Sequence, residues 1–175
     1  GLIGAGVQAR SHLAAFREHF PIDEVRVFSR TEQSAKQLAD QINLPGGKVC
    51  VESDPTELLQ NSDIVISTVP ASKGLVPFLD PNHLSVPSFA GMVDCGRSWL
   101  LNDLPTSDWV VIDDREQDRH SAAPLITPSR VNQDMRELVL KGYPSREEAI
   151  RRLFIFRGMA IGDLAAAILA YETSV

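Results

Sequence analysis

Residues 1–12 read GLIGAGVQARSH. The apolar pair Leu2 and Ile3 precedes a GxGxxA turn formed by Gly4, Gly6 and Ala9, and a helical pattern follows. In such a turn the first glycine allows the bend and the second lets a pyrophosphate approach the backbone. The small third residue lets the helix pack closely on the strand. Glycine turns also join strands to helices where no ligand binds, but the strand before this turn and the helix after it favour a phosphate-binding turn.

Short apolar runs alternate with longer amphipathic stretches through the first two thirds of the chain, which is typical of repeated strand–helix units. We predict helices over residues 8–19 and 32–41, and a third that starts at Asp54 and Pro55. The predicted fold is α/β, a Rossmann-type doubly wound parallel sheet with helices on both faces. Its strands are predicted over residues 1–3, 24–28, 48–51, 63–69, 89–93 and 109–113.

The pattern changes after Asp114. A polar cluster and a loop-like stretch predict a short helix and a loop, and residues 144–148 resemble another helix start. A short apolar run follows at residues 153–156, and an Ala-rich helix is predicted over residues 158–171. We see no linker or repeat, so we assign residues 1–175 to one domain. Because Gly1 to Ile3 is short for a strand, we expect further residues upstream.

Composition limits the kind of partner. The formal net charge of -6 and a pI near 5.2 argue against a nucleic-acid surface and favour a small-molecule ligand. Cys50 and Cys95 belong to no CxxC pair or His/Cys cluster, so we expect reduced thiols, a cytoplasmic setting and no metal site. The sequence has no apolar run of about 18 residues, so we expect no membrane span.

The second predicted strand ends in Ser29, Arg30 and Thr31. A domain that prefers NAD usually carries Asp or Glu here for the ribose 2′-hydroxyl, whereas a guanidinium and two hydroxyls suit a 2′-phosphate. We therefore predict that NADP(H) is preferred and that NAD(H) also binds. The other interpretation is an exposed Arg30 on a turn, with Thr31 as the N-cap of the next helix.

Two further predicted strands, the fourth and the fifth, end in polar residues at the edge of the sheet where the carboxyl ends of the strands meet. Thr68 and Val69 end the fourth strand, and Thr68 either lines a cofactor site or bonds a loop backbone group. Asp94 follows the fifth strand, where a carboxylate can carry a proton near a nicotinamide. It can equally be a turn or N-cap aspartate.

Two stretches together resemble one family. Residues 3–12 are similar to the glycine turn of the ornithine cyclodeaminase and mu-crystallin family, with its Gln and a His four residues later. Residues 156–167, FRGMAIGDLAAA, resemble the family's C-terminal helix. The resemblance implies that Val7 and Gln8 contact the pyrophosphate and that Arg157 and Gly158 lie beside the nicotinamide. It also implies a catalytic role for Asp94.

Members of that family move hydride between NAD(P) and the α-carbon of an amino acid or its imine. The resemblance implies a ketimine reductase or amino-acid dehydrogenase. Two alternatives are a redox-neutral ornithine cyclodeaminase and a non-catalytic, NADPH-dependent binding protein. After Asp94 the loop departs from the family pattern, because it is shorter and lacks a Glu. Family members hold the substrate with an N-terminal domain, so we expect a homodimeric full-length protein and an inactive isolated chain.

Overall fold

A computed structural model describes residues 1–143 and 150–174. Its centre is one sheet of eight parallel strands in the order β3-β2-β1-β4-β5-β8-β6-β7. The order reverses direction between β1 and β4, which is the switch point of a doubly wound sheet. The strands are β1 (Leu2–Ile3), β2 (Glu24–Phe28), β3 (Lys48–Val51), β4 (Ile64–Ser67), β5 (Ser88–Met92), β6 (Trp109–Ile112), β7 (Gln133–Asp134) and β8 (Arg151–Ile155).

Among residues 1–143 and 150–174, five α-helices lie between strands and a sixth follows β8, and the starts of three of them follow from local sequence. Asp54, Asp114 and Asp134 each accept a hydrogen bond from a backbone N–H of the first turn that follows, as N-cap residues do. The helices are α1 (Val7–His19), α2 (Glu32–Ala39), α3 (Pro55–Gln60), α4 (Arg115–Arg119), α5 (Met135–Lys141) and α6 (Ala160–Ser174). The predicted helix start at residues 144–148 lies outside the described residues.

Helices cover both faces of the sheet. Along a strand, successive side chains point to opposite faces, and the core divides accordingly into two clusters. Leu2 and Ile66 pack with Leu38 of α2 in one cluster, while Ile3 and Val65 pack with α3 side chains in the other. Burial of apolar surface on both faces explains why β1 and the first three residues of β4 are apolar. The predicted Rossmann-type fold is confirmed.

Strand β8 was not among the predicted strands. Residues 153–156 are apolar, but the chain reaches them only after α5 and then inserts them between β5 and β6. The sheet therefore has two strands more than the sequence indicated, since β7 is also added at its edge. The apolar run was visible in the sequence, but its position in the middle of the sheet depends on pairing with strands far away in the chain.

Helix α6 differs from the others because its side chains are exposed. Residues 160–173 are all exposed, although the helix is rich in apolar residues. Five large side chains keep between 48% and 74% of their surface accessible, namely Ile161, Leu164, Ile168, Leu169 and Tyr171. No helix in the described part of the chain is both long and apolar enough to span a membrane.

Candidate cofactor site at the carboxyl edge of the sheet

A cleft of about 570 Å³ opens at the carboxyl ends of β1, β2 and β4. This is where open α/β sheets bind ligands, at the point where the strand order reverses. The cleft brings together seven of the predicted site residues, namely Gly4, Gly6, Ser29, Arg30, Thr31, Thr68 and Val69. Its volume lies in the usual range for small-molecule sites.

The two glycines of the turn have different tasks. Gly4 has a φ of +103°, and a Cβ there would come within 2.7 Å of the Thr68 hydroxyl oxygen. A side chain is therefore excluded by both conformation and space. A Cβ on Gly6 would meet no atom within 4 Å. The open space in front of Gly6 is what the close approach of a phosphate requires.

Helix α1 begins at this turn with free hydrogen-bonding capacity. Gly6 is the N-cap residue, and no side chain within residues 1–143 or 150–174 caps the start of the helix. No acidic residue occupies the first turn. The partial positive charge of the helix N-terminus is therefore not neutralised within the described chain. Val7 is 80% exposed and Gln8 is also exposed, while Ala9 is buried against the sheet. Val7, Gln8 and Ala9 thus adjoin the cleft without lining it.

The β2 end of the cleft carries positive charge without a counter-ion. Arg30 is exposed and forms no ion pair with any described residue. The described side chains that line the cleft include no carboxylate. Thr31 occupies the N-cap position of α2, and its hydroxyl bonds that of Ser34 at 2.6 Å. Both interpretations of this turn are therefore compatible with its backbone, and the charge favours an anionic ligand.

Thr68 holds the turn as well as lining the cleft. Its N–H donates to the Ile3 carbonyl at 2.8 Å, and its hydroxyl donates to the same oxygen at 3.3 Å. The Gly4 N–H donates to the carbonyl of Phe28 at 2.8 Å. Residues from three adjacent strands thereby fix the backbone around the glycine turn. The two roles considered for Thr68 are compatible with each other.

Several residues of the cleft were not predicted from the sequence. The rings of Phe28 and Phe78 lie 6.0 Å apart between centroids, and Leu75 adds a further apolar side chain. This wall suits the flat face of a nucleobase. Phe28 ends β2 next to Ser29, which is a usable sequence signal. Phe78 lies in a loop far along the chain and gives none.

Asp94 lies outside the cleft, at the end of β5, and is 5% exposed. Its Oδ1 accepts hydrogen bonds from the Ser67 hydroxyl at 3.0 Å and the Gly96 N–H at 3.1 Å. Its Oδ2 accepts from the Ser98 hydroxyl at 2.5 Å. Cys95 and Gly96 both have positive φ values, +60° and +67°. The carboxylate therefore closes a tight turn, as a turn aspartate does.

The structure also places Arg157 and Gly158 outside the cleft. The guanidinium of Arg157 is directed inward and pairs with Asp118, with 2.7 Å between Nη2 and Oδ1. The backbone N–H groups of Arg157 and Gly158 both donate to the carboxylate of Asp113. Arg157 therefore has no free guanidinium to offer a cofactor in this conformation. No cluster of His, Cys, Asp or Glu suited to a metal ion occurs within the described residues.

The cleft fits a dinucleotide phosphate on three counts: an open space at Gly6, an uncapped helix start and an unpaired Arg30. The family model for ornithine cyclodeaminase/mu-crystallin proteins matches residues 1–175. The chain belongs to this family. Among its curated relatives, the ketimine reductase mu-crystallin of Rattus norvegicus is 30% identical over 176 residues, which is 98% of this chain.

Solved structures of related proteins share this architecture. An archaeal alanine dehydrogenase dimer with bound NAD matches with a TM-score of 0.81 and 25% identity, over 98% of this chain and 56% of that protein. The Δ1-pyrroline-2-carboxylate reductase of Thermococcus litoralis, in complex with NADH and L-proline, matches with a TM-score of 0.76 and 25% identity, over 98% and 56%. The chain spans about half the length of its relatives, 54% for the Rattus protein.

Proposed function

We propose that the protein is an NAD(P)-dependent oxidoreductase that transfers hydride between NADP(H) and the α-carbon of an amino acid or its imine. The observation that carries this proposal is the cleft, where the glycine turn and Arg30 face one space at the switch point of the sheet. Relatives that carry this domain are named as a ketimine reductase and a pyrroline carboxylate reductase. When bound, the nicotinamide supplies or accepts the hydride.

The chain's own residues bind and orient the cofactor in this proposal. The first N–H groups of α1 and the backbone at Gly6 hold the pyrophosphate, with Val7 and Gln8 beside it. Ser29, Arg30 and Thr31 hold the adenosine ribose, and Arg30 makes a charge-assisted contact with a 2′-phosphate. Thr68 and Val69 line the next section of the cleft. Arg157 and Gly158 form part of the wall beside the nicotinamide, because the guanidinium and both backbone N–H groups are already paired within the chain.

We propose that Asp94 manages the proton that accompanies hydride transfer. Its position supports this role, because it follows β5 and adjoins the chain that leaves β8. Cys95, next to it, donates its thiol to the Arg157 carbonyl at 3.8 Å. The hydrogen bonds from Ser67 and Ser98 fix the orientation of the carboxylate, which is what an acid–base group requires. A purely structural turn uses the same bonds, so a variant must separate the two roles.

The assay that tests the activity uses the full-length protein, NADPH and a cyclic imine carboxylate such as Δ1-pyrroline-2-carboxylate. We expect loss of NADPH absorbance and formation of the matching cyclic amino acid. Release of ammonia from ornithine without net consumption of cofactor would identify a cyclodeaminase instead. Tight NADPH binding without turnover on any of these substrates would identify a binding protein. Either of these two results contradicts the proposal.

We further propose that the full-length protein is a homodimer in the cytoplasm. Exposed apolar side chains along α6 support burial of this helix in an assembly, because each gains about 1 kcal/mol when its remaining exposed surface leaves water. A related alanine dehydrogenase is described as a dimer. The two free thiols support a reducing compartment. Light scattering should give twice the mass of one full-length chain, and the mass of one chain would contradict the dimer.

A further inference from the structure

Residues 156–158 leave the sheet between the carboxyl ends of β5 and β6. The N–H of Phe156 donates to the Met92 carbonyl of β5 at 3.2 Å. On the other side, the Asp113 N–H donates to the Ile155 carbonyl at 3.2 Å. The segment thus emerges at the carboxyl edge, between the ends of β5 and β6, before α6 begins at Ala160.

The carboxylate of Asp113 binds the backbone of this segment. The residue follows β6 directly and is 2% exposed. Its Oδ2 accepts hydrogen bonds from the N–H of Arg157 at 2.8 Å and of Gly158 at 2.6 Å, and its Oδ1 accepts from the Asp114 N–H at 3.0 Å. Hydrogen bonds to a buried carboxylate are short and strong. Gly158 has a φ of +118°, a conformation that side chains rarely adopt.

The carboxylate of Asp118 binds the same segment through the guanidinium of Arg157. This residue of α4 is 4% exposed, and its Oδ1 accepts from Arg157 Nε at 3.1 Å and Nη2 at 2.7 Å. The same Nη2 also donates to the carbonyl of Ala123 at 2.8 Å. Two buried carboxylates from different elements therefore fix one residue, Arg157, at its backbone and at its guanidinium. Most surface loops have no such support.

The direction of a dinucleotide in the cleft indicates what this segment faces. In the proposed function the adenosine ribose lies at the end of β2 and the pyrophosphate at the turn after β1. The other nucleoside then lies on the far side of the switch point, over β4 and β5. Strand β8 is the next strand after β5. The residues that leave β8 are therefore the wall beyond the nicotinamide half.

We propose that Asp113 is a positioning residue for the nicotinamide half of the cofactor. Its carboxylate fixes the backbone of residues 157 and 158, and Asp118 supports this through the Arg157 guanidinium. The adenosine half is held elsewhere, by the glycine turn and Arg30, so it does not depend on Asp113. This inference rests on the proposed function. It separates two halves of one ligand, which can be measured independently.

The test compares two ligands on the full-length protein by calorimetry: NADPH, and 2′-phospho-ADP-ribose, which lacks the nicotinamide. For Asp113→Ala we expect NADPH affinity to fall about tenfold or more, while affinity for 2′-phospho-ADP-ribose stays within about twofold. Binding of the second ligand also shows that the variant is folded. If Asp113→Ala does not fold, Asp113→Asn keeps the shape and removes the charge, and a smaller change in the same direction is expected.

The matched control is Asp134→Ala. Asp134 ends β7 and, like Asp113, accepts a hydrogen bond from a backbone N–H group, but it serves α5 and not the segment after β8. It should leave the ratio of the two affinities unchanged. Equal weakening of both ligands by Asp113→Ala, or no weakening of either, would overturn the positioning role. If the wild-type protein binds neither ligand, the proposed function itself fails and this inference fails with it.

Discussion

The Ser67 hydroxyl donates to Asp94 Oδ1 at 3.0 Å and ties the end of β4 to the end of β5. The same Ser67 oxygen accepts a hydrogen bond from the indole N–H of Trp99 at 2.9 Å. All three side chains are buried. Buried hydrogen bonds thus hold the carboxylate in one orientation. We expect substitution of Asp94 to lower stability and, in the proposed function, also to impair proton transfer.

Asp94→Asn should lower kcat by about a hundredfold or more, as expected for loss of a proton carrier, with NADPH affinity nearly unchanged. Ser98→Ala is the control, because it removes one hydrogen bond to the carboxylate and keeps the carboxylate itself. We expect it to lower kcat less than about tenfold. Steady-state kinetics on both variants decides the question. Equal and small losses would show that Asp94 serves only the turn.

The two glycines of the turn should respond differently to alanine. Gly4→Ala forces a Cβ against Thr68 at a positive φ, so we expect the free energy of unfolding to fall by about 1 to 3 kcal/mol. Gly6→Ala meets no atom of the protein and should cost about 1 kcal/mol or less.

Although Gly6→Ala should hardly affect stability, it should strongly affect NADPH binding. A methyl group in the space in front of α1 should weaken NADPH binding about tenfold or more, because the proposed function brings the pyrophosphate against the backbone there. Denaturant melts and NADPH titrations on the same preparations check both statements. Full NADPH affinity in Gly6→Ala would place the phosphates elsewhere.

Local sequence was sufficient to predict the strands from β1 to β6 and about half of the residues that line the cleft. The glycine turn, the apolar strands and Ser29 to Thr31 are local patterns, and the structure brings them together because parallel strands end at one edge. The position of β8 was missed, since it depends on pairing with strands far away in the chain. The paired state of Arg157 was missed for the same reason. Its partner Asp118 is a helix residue that looks like an ordinary surface charge in sequence.

Asp134 and Glu137 form a capping box at the start of α5, in which each side chain accepts a hydrogen bond from the backbone N–H of the other. We expect this capping box to make stability depend on pH. A hydrogen bond from Lys141 holds the pKa of Glu137 below its ordinary value, helped by the Asp134 N–H and by Arg115. A carboxyl group whose pKa is lowered on folding stabilises the protein above its unfolded pKa, near 4.5 here, and loses this effect as the pH falls through the folded value.

Glu137→Gln should therefore lower the free energy of unfolding at neutral pH and leave it almost unchanged in acid, below the folded pKa. Denaturant melts of wild type and variant across this range measure the difference. Glu116→Gln is the control, because Glu116 pairs with Arg119 at the exposed surface of α4 and should contribute little at any pH. A difference that persists undiminished in acid would show that the carboxylate charge has no part in it.

We propose that this cleft binds NADP(H) through Arg30 and the turn after β1. A charge-assisted contact with the 2′-phosphate is worth about 1.5 to 3 kcal/mol, so NADPH should bind about ten- to a hundredfold more tightly than NADH. Ser29→Asp combined with Arg30→Ala removes the attraction and adds repulsion, and should reduce or reverse this ratio. Arg10→Ala is the control, because Arg10 lies on α1 and is not among the residues that line the cleft.

The most direct measurement is a titration of the full-length wild type and the double variant with NADPH and NADH at one fixed salt concentration. We expect a clear preference for NADPH in the wild type and its loss in the double variant, with the ratio of the two affinities unchanged in Arg10→Ala. Equal wild-type affinities would show that Arg30 contacts no phosphate, and absence of binding by either cofactor would contradict the assignment of the cleft.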